Sequence, residues 1–294
     1  MSAPETDKTR DPLTGAALQA HIDAALAAPG LGDTELALYY QILQRLFRPT
    51  LINEQNIPER PCLFVGNHSL FALDGWILVP TLQKLSGRKL RSMGDRFLWA
   101  NPTIGASLLK RGAVIGHPEV CAALMENGAD LLVFPGGAHE AIKPASANYK
   151  LQWKERYGFV RMAATHGYTI QPMGIVGPDE FYEHLIESED LPGSFIGKLL
   201  QRIGLIDENT RSDMLPPIPR GALGTLLPRP QICYIGFGEP IDLSKYKGRK
   251  LNKAQLQHIR DAVAGQIEEQ LSKLLILQKE QRQNDGLLRR LLTI

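Results

Sequence analysis

Residues 62–85 read CLFVGNHSLFALDGWILVPTLQKL. Cys62–Val65 is a short, continuously apolar run of the kind a fully buried strand presents; Gly66 follows it, and from Gly75 to Leu85 the apolar residues recur at helical spacing. The same change of period repeats along the chain. Strand-like Lys89–Met93, Ala113–Ile115, Asp130–Phe134 and Thr169–Met173 alternate with helix-like Ile104–Leu109, Glu119–Met125 and Gln152–His166. Such alternation predicts an α/β layered sheet flanked by helices.

Working outward, Leu36, Tyr39, Tyr40, Leu43, Leu46 and Phe47 make an amphipathic helix that Pro49 stops. Residues 1–34 are weakly patterned and read as a loose arm, although 16–28 could form a short helix. Prolines 192, 216, 217, 219, 228 and 230 break the rhythm across 191–230, which reads as an irregular excursion or flap. A last strand, Gln231–Phe237, precedes a long C-terminal helix from about Ala254 to Gln278. The expected organisation is an arm over 1–34, a catalytic-type domain over 35–250 and a C-terminal amphipathic helix with basic tail over 251–294.

The 294 residues are 44% hydrophobic and 22% charged, enough for a substantial core and unlike a disordered chain. A net charge of +2 provides no field that would recruit nucleic acid, and no nucleic-acid partner is expected. Cys62, Cys121 and Cys233 are far apart and form no C-x-x-C pair, against a disulfide framework or thiolate zinc site and in favour of a reducing, cytoplasmic compartment. The opening MSAPETDKTRDPLTG lacks the build of a secretory signal. No stretch approaches the roughly 20 apolar residues of a membrane span.

His68 follows a strand end, and Asp74 is the only acid between Glu59 and Asp95. A carboxylate within reach of a histidine is what a general base needs, because it selects the tautomer and stabilises the imidazolium. A six-residue step turns an ideal helix by roughly 240°, so a loop or distorted first turn must carry part of the segment. Otherwise His68 caps an element and Asp74 is a solvated helix residue.

DLLVFPGGAHEA (130–141) runs a strand into Gly136-Gly137, then His139-Glu140. Paired glycines admit a ligand close to backbone N–H groups that could meet an oxyanion or thioester carbonyl; the plainer reading is a tight turn. H-E-x-x-H is absent, since Lys143 occupies the second histidine position, and His117 has no ligand set either. No metal or resident cofactor is expected. There is no G-x-S-x-G elbow, no phosphate-binding G-x-x-x-x-G-K-[ST] loop and no complete dinucleotide fingerprint.

Asn67-His68 with its aspartate, Gly112-Ala113-Val114-Ile115-Gly116, Phe134-Pro135-Gly136-Gly137 and Ile170-Gln171-Pro172-Met173, closed by Phe237-Gly238-Glu239-Pro240-Ile241, follow the order of the blocks of the glycerolipid (lysophospholipid) acyltransferase superfamily. The resemblance covers roughly 45–245. It implies a mixed sheet and acyl transfer from acyl-CoA or acyl-carrier protein to a hydroxyl at a membrane surface, without a covalent enzyme intermediate. His68 is then the base and Asp74 its partner, with five residues between them where the family usually has four.

The third block resembles the branch containing diacylglycerol acyltransferases and plant phytyl ester synthases, whose acceptors are neutral alcohols, rather than the F-P-E-G-T-R of phosphate-accepting members. His139 stands where that branch often has Arg. Asn67, Gly136, Gly137, His139 and Glu140 are the expected substrate-binding residues. Arg111, with Lys110, could meet the phosphates of CoA or simply end a helix in solvent. Tyr149, Trp153, Arg156 and Phe159 form an aromatic stripe that is either core or ligand contact. The rivals are a lysophospholipid or lysophosphatidate acyltransferase, a thioesterase or lipid esterase with water as acceptor, and a non-catalytic lipid-binding protein.

A lipid substrate implies an interfacial, peripheral membrane habit. Three segments could supply it: the 36–47 helix, the apolar parts of 194–228, and the tail. Eleven Lys or Arg against five Asp or Glu in 245–294 make the C-terminal end basic, and it finishes in LLRRLLTI.

Overall fold

Parallel strands covered on both faces have no polar side to show. Cys62–Gly66 and Thr169–Val176 are accordingly buried at every position. The computed structural model describes residues 13–187, 190, 191, 193, 194, 198, 215–283 and 286–293.

In chain order these form α1 (Gly15–Ala27), α2 (Asp33–Leu46), β1 (Thr50–Ile52), β2 (Cys62–Gly66), α3 (Leu73–Ser86), β3 (Leu90–Gly94), α4 (Pro102–Lys110), β4 (Ala113–Ile115), α5 (Pro118–Glu126), β5 (Asp130–Val133), α6 (Gly137–Ala141) and α7 (Gly158–His166). Then come β6 (Thr169–Val176), β7 (Glu183–Ile186), β8 (Ile218–Arg220), β9 (Tyr234–Phe237), β10 (Ile241–Asp242), α8 (Lys253–Arg282) and α9 (Leu287–Leu292). Local chemistry marks several of these ends. Gly87 and Gly167 close α3 and α7 in the left-handed conformation, Asn101 caps α4 ahead of Pro102, and Asn252 with Gln255 builds a capping box on α8.

The main sheet has the order β1-β9-β6-β2-β5-β3-β4, with β10 also paired to β6. It is mixed: the β6–β2–β5–β3–β4 run is parallel, whereas β9 and β10 oppose β6. One face packs Phe64, Leu132, Met173 and Ile235 against α2 and α3. The other packs Leu63, Val65, Leu131 and Ile170 against α1, α5, α7 and α8. Gly174 lets α8 lie close, for a Cβ there would stand 3.0 Å from both the Gln270 side chain and the Leu271 nitrogen.

β2 and β5 are neighbours, yet the chain leaves β2 for α3 on one face and β5 for α7 on the other. Connections that part in this way mark where open α/β sheets bind ligands, outside the carboxyl ends of the strands.

Three expectations change. The stretch read as a loose arm is helical from Gly15, and α1 buries Leu18 and Ala25 in the core. The helix expected from Gln152 begins at Gly158, because Lys154 is left-handed (φ 49°) and the Trp153 side chain turns inward to be buried. Much of 191–230 lies outside the described residues, but Ile218–Arg220 within it forms β8, paired antiparallel with β7.

Candidate active site

His68 stands two residues beyond the end of β2. Its Nδ1 lies 2.9 Å from Asp74 Oδ2 and 3.2 Å from Oδ1. Asp74 sits in the first turn of α3, 1% exposed, and also accepts from the backbone N–H groups of Ser69 and Gly75, each at 2.5 Å. The intervening Leu70–Ala72 is a 3-10 turn in which Phe71 and Ala72 both have positive φ, 56° and 55°. That pair folds the chain back so that side chains six residues apart meet. Holding two non-glycine residues there costs about 1 kcal/mol or more each.

An ionised carboxylate only accepts, so Asp74 keeps a proton on Nδ1 and leaves Nε2 as the basic nitrogen. The imidazole stacks on Phe134 from the end of β5, centroids 4.4 Å apart and planes 5° from parallel, which fixes its orientation. Dyad and aromatic plate, at the carboxyl ends of the strands, together suit the removal of a proton from a bound hydroxyl.

The other expected site residues divide. Asn67 is buried and both ends of its amide bond Ile175: Nδ2 donates to the carbonyl oxygen at 2.9 Å and Oδ1 accepts from the N–H at 2.8 Å. Glu140, fully buried, accepts from His68 N–H at 2.9 Å and Gln152 N–H at 3.2 Å. Burial pushes its carboxyl above the usual range, against the pull of those N–H groups and of Lys143. Gly136 permits this fold-back: a Cβ there would fall 1.9 Å from Glu140 Oε2.

Gly137 has φ 52° and donates its N–H to Phe134 O at 3.0 Å, so that donor is spent on the turn rather than held for an oxyanion. His139 lies half-buried on the short α6 beside them.

Arg111 does not join this group. It precedes β4 at the amino end of the sheet, on the level of Cys62 by strand register, whereas His68 lies six residues further along. At 3.3 Å per residue the two levels are about 20 Å apart. Its guanidinium pairs with Glu35 of α2 at 2.8 Å and bonds Ser107 O.

The aromatic stripe is mainly core. Trp153 and Phe159 pack edge to face at 5.5 Å, Tyr149 OH donates to Glu180 Oε1 at 2.9 Å, and Arg156 donates to Pro135 O. His117 caps α5 by accepting from Glu119 N–H. Among the described residues no group of three or more His, Cys, Asp or Glu is placed to hold a metal ion.

Sequence alone does not mark Phe134 as a plate, nor Lys143 and Asp179 as buried partners of the site. Lys143 donates to His68 O at 2.6 Å and to Asp179 Oδ1 at 2.8 Å. The only signal in sequence is the i, i+3 step from Glu140 to Lys143.

Residues 48–176 match the Acyltransferase family. The chain is similar to phytyl ester synthase 1, chloroplastic, of Arabidopsis thaliana, 28% identical over 239 residues that cover 76% of this chain and only 34% of that longer protein. It is also similar to the DGAT1/2-independent enzyme synthesizing storage lipids of Gallus gallus, 29% identical over 123 residues, 42% of this chain and 37% of that one. In structure it resembles the 1-acyl-sn-glycerophosphate (LPA) acyltransferase PlsC from Thermotoga maritima, with a TM-score of 0.48 and 16% identity over 86% of this chain and 91% of that chain. The matched stretch runs from β1 to β6 and carries the ordered sequence blocks, so the comparisons support the resemblance to the glycerolipid acyltransferase superfamily.

Proposed function

We propose that the protein is an O-acyltransferase that moves a fatty acyl group from acyl-CoA or acyl-carrier protein to the hydroxyl of a neutral lipid alcohol. The observation that carries this reading is the His68–Asp74 pair at the carboxyl ends of β2 and β5. His68 Nε2 takes the acceptor proton as the oxygen adds to the thioester carbonyl; the C–S bond then breaks and the departing thiolate receives that proton from the imidazolium. No resident cofactor takes part.

A neutral acceptor is favoured by the third block. A phosphate calls for an Arg fork, and Gly136–Glu140 offers none: its one carboxylate is buried and engaged by backbone N–H groups. The names of the plant and chicken relatives point to neutral lipid products as well. Thiol release with a panel of acyl-CoAs is expected to be stimulated by mono- or diacylglycerol or a long-chain alcohol at least about tenfold more than by lysophosphatidate. Faster acylation of lysophosphatidate overturns the acceptor class, and release indifferent to any acceptor makes the protein a thioesterase.

The acceptor resides in a bilayer, and no helix among the described residues is long and apolar enough to cross one. Contact is then at the interface, through the loop after β8. Leu223, Leu226 and Leu227 are 75%, 72% and 69% exposed, and Leu223 holds a left-handed φ of 53°. Tyr182 ties this loop to the site mouth: its hydroxyl donates to Leu226 O, and its ring meets Phe71, three residues past His68, edge to face at 5.7 Å. Exposed Trp76, Phe97 and Leu98 follow the carboxyl ends of β2 and β3, so apolar surface gathers at the end of the sheet that carries His68.

The basic tail supports a different role, since Arg282 bonds Glu180 and Gln231 and Arg289 bonds Leu46 O. Free, buried Cys62, Cys121 and Cys233 support a cytoplasmic, reducing location. Burying one leucine contributes about 1.5–3 kcal/mol. Replacing Leu223, Leu226 and Leu227 together by Ser is expected to weaken co-sedimentation with phosphatidylcholine vesicles by at least about a hundredfold, leaving turnover of a water-soluble short-chain alcohol unchanged. Undiminished vesicle binding removes this loop as the contact.

A further inference from the structure

The base of this site is held by its backbone. β2 pairs with β6 as far as Gly66 and Met173, and there the main-chain ladder stops. Side chains then continue it. Asn67 takes both main-chain groups of Ile175. At His68, Glu140 Oε1 accepts the N–H at 2.9 Å while Lys143 Nζ donates to the carbonyl oxygen at 2.6 Å.

Both gripping residues come from one eight-residue segment, Gly136–Lys143, and both are anchored away from His68. Glu140 also accepts from Gln152 N–H, and Lys143 pairs with Asp179, whose other oxygen accepts from Tyr149 N–H at 2.7 Å. The Lys143–Asp179 pair is almost wholly buried, with both side chains 3% exposed.

A buried ion pair is a poor source of stability, because desolvation offsets the attraction and an apolar pair of similar volume often does as well. Lys143 has a contact that an apolar side chain cannot make, and that contact is with the base. We propose that Glu140 and Lys143 are positioning residues that clamp the main chain of His68, so that Nε2 is aimed at the acceptor hydroxyl while Nδ1 stays on Asp74. This rests on the reading of His68 as the general base. It gives the G-G-x-x-E-x-x-K stretch the work of placing the histidine, and Gly136 that of clearing room for Glu140.

The test removes both members of the ion pair together, so that neither is left facing an empty place. Lys143→Met with Asp179→Asn in one chain keeps the bulk, and the new amide oxygen still accepts from Tyr149 N–H. Glu140→Gln is the second variant, with His68→Ala beside both. Three quantities are read: thermal midpoint, kcat and KM for acyl-CoA and a long-chain alcohol, and the low-field NMR resonance of the His68 Nδ1 proton, assigned by its loss in His68→Ala.

A clamp predicts a double variant melting within about 2 °C of the wild type, about 1 kcal/mol or less of stability for a chain of this size. It further predicts KM values within about twofold, kcat lowered about 10- to 100-fold, and a shifted or broadened Nδ1 resonance. Glu140→Gln should do the same. If the folded double variant keeps wild-type kcat and resonance, the pair is merely structural and the proposal fails. If it does not fold, Glu140→Gln decides alone by the same criteria. Should His68→Ala retain wild-type thiol release while the clamp variants still shift the Nδ1 proton, the clamp stands and the assignment of His68 as base is what fails.

Discussion

A His68→Ala variant is expected to transfer acyl groups about 10²–10⁴-fold more slowly than the wild type, with KM for acyl-CoA little changed and a far-ultraviolet spectrum that overlays it. That is the range general-base catalysis contributes when a positioned imidazole takes a proton in the transition state. The effect should fall on kcat because the imidazole engages Asp74 and Phe134, while the contacts that hold the loop run through the His68 backbone. Truncation leaves those backbone contacts available. Thiol release followed with acyl-CoA and a neutral alcohol measures the loss. A variant within tenfold of the wild type removes His68 as the base.

Asp74→Asn should cost a similar factor for a different reason. Asp74 accepts from three donors at once: His68 Nδ1 and the backbone N–H groups of Ser69 and Gly75. An amide of the same shape has one oxygen to offer, so its NH2 must face at least one of these donors. The easiest relief is for the imidazole to put its proton on Nε2 and accept from the amide through Nδ1, which makes Nε2 useless as a base. In a comparable carboxylate–histidine pair on an unrelated fold, that tautomer change lowers kcat about 10⁴-fold with the geometry intact. Here the expectation is a loss of at least about a hundredfold in kcat, with the thermal midpoint falling by a few degrees for the strained N–H contacts. Wild-type kcat in a folded Asp74→Asn variant shows that Asp74 supports the turn and not the chemistry.

Much of the architecture is legible because it is local. A strand buried on both faces must be apolar throughout, and a helix lying on it must be apolar along one side, so the alternation from Cys62 to Val176 is written in the order of residues. Errors fall where a distant partner overrides that pattern. Gln152–Tyr157 has helical composition, but Gln152 N–H is taken by Glu140 and Trp153 is drawn into the core. Residues 15–27 offer little amphipathic signal, yet they form a helix because α5 supplies a surface for Leu18 and Ala25 to cover.

The candidate site divides in the same way. His68 and Asp74 lie six residues apart, and the acid-poor stretch around them is enough to single out the pair. Asn67 and Glu140 are equally visible as polar residues at strand ends, but their partners, Ile175 and the His68 and Gln152 backbones, come from elements that meet only when the sheet assembles. The partner of Asn67 is 108 positions away. Arg111 has the look of a phosphate ligand next to a glycine block, and strand direction carries it to the opposite end of the sheet.

By itself, then, the sequence determined the alternation of elements, the blocks that carry the resemblance to the acyltransferases and the identity of the histidine and its acid. Periodicity and short-range spacing suffice for those. Which polar groups gather at His68, which are consumed in holding the backbone and which lie some 20 Å away along the strands was decided by tertiary structure alone. A buried hydrogen-bonding group must find a partner, and the partner it finds depends on which strand ends the topology brings side by side.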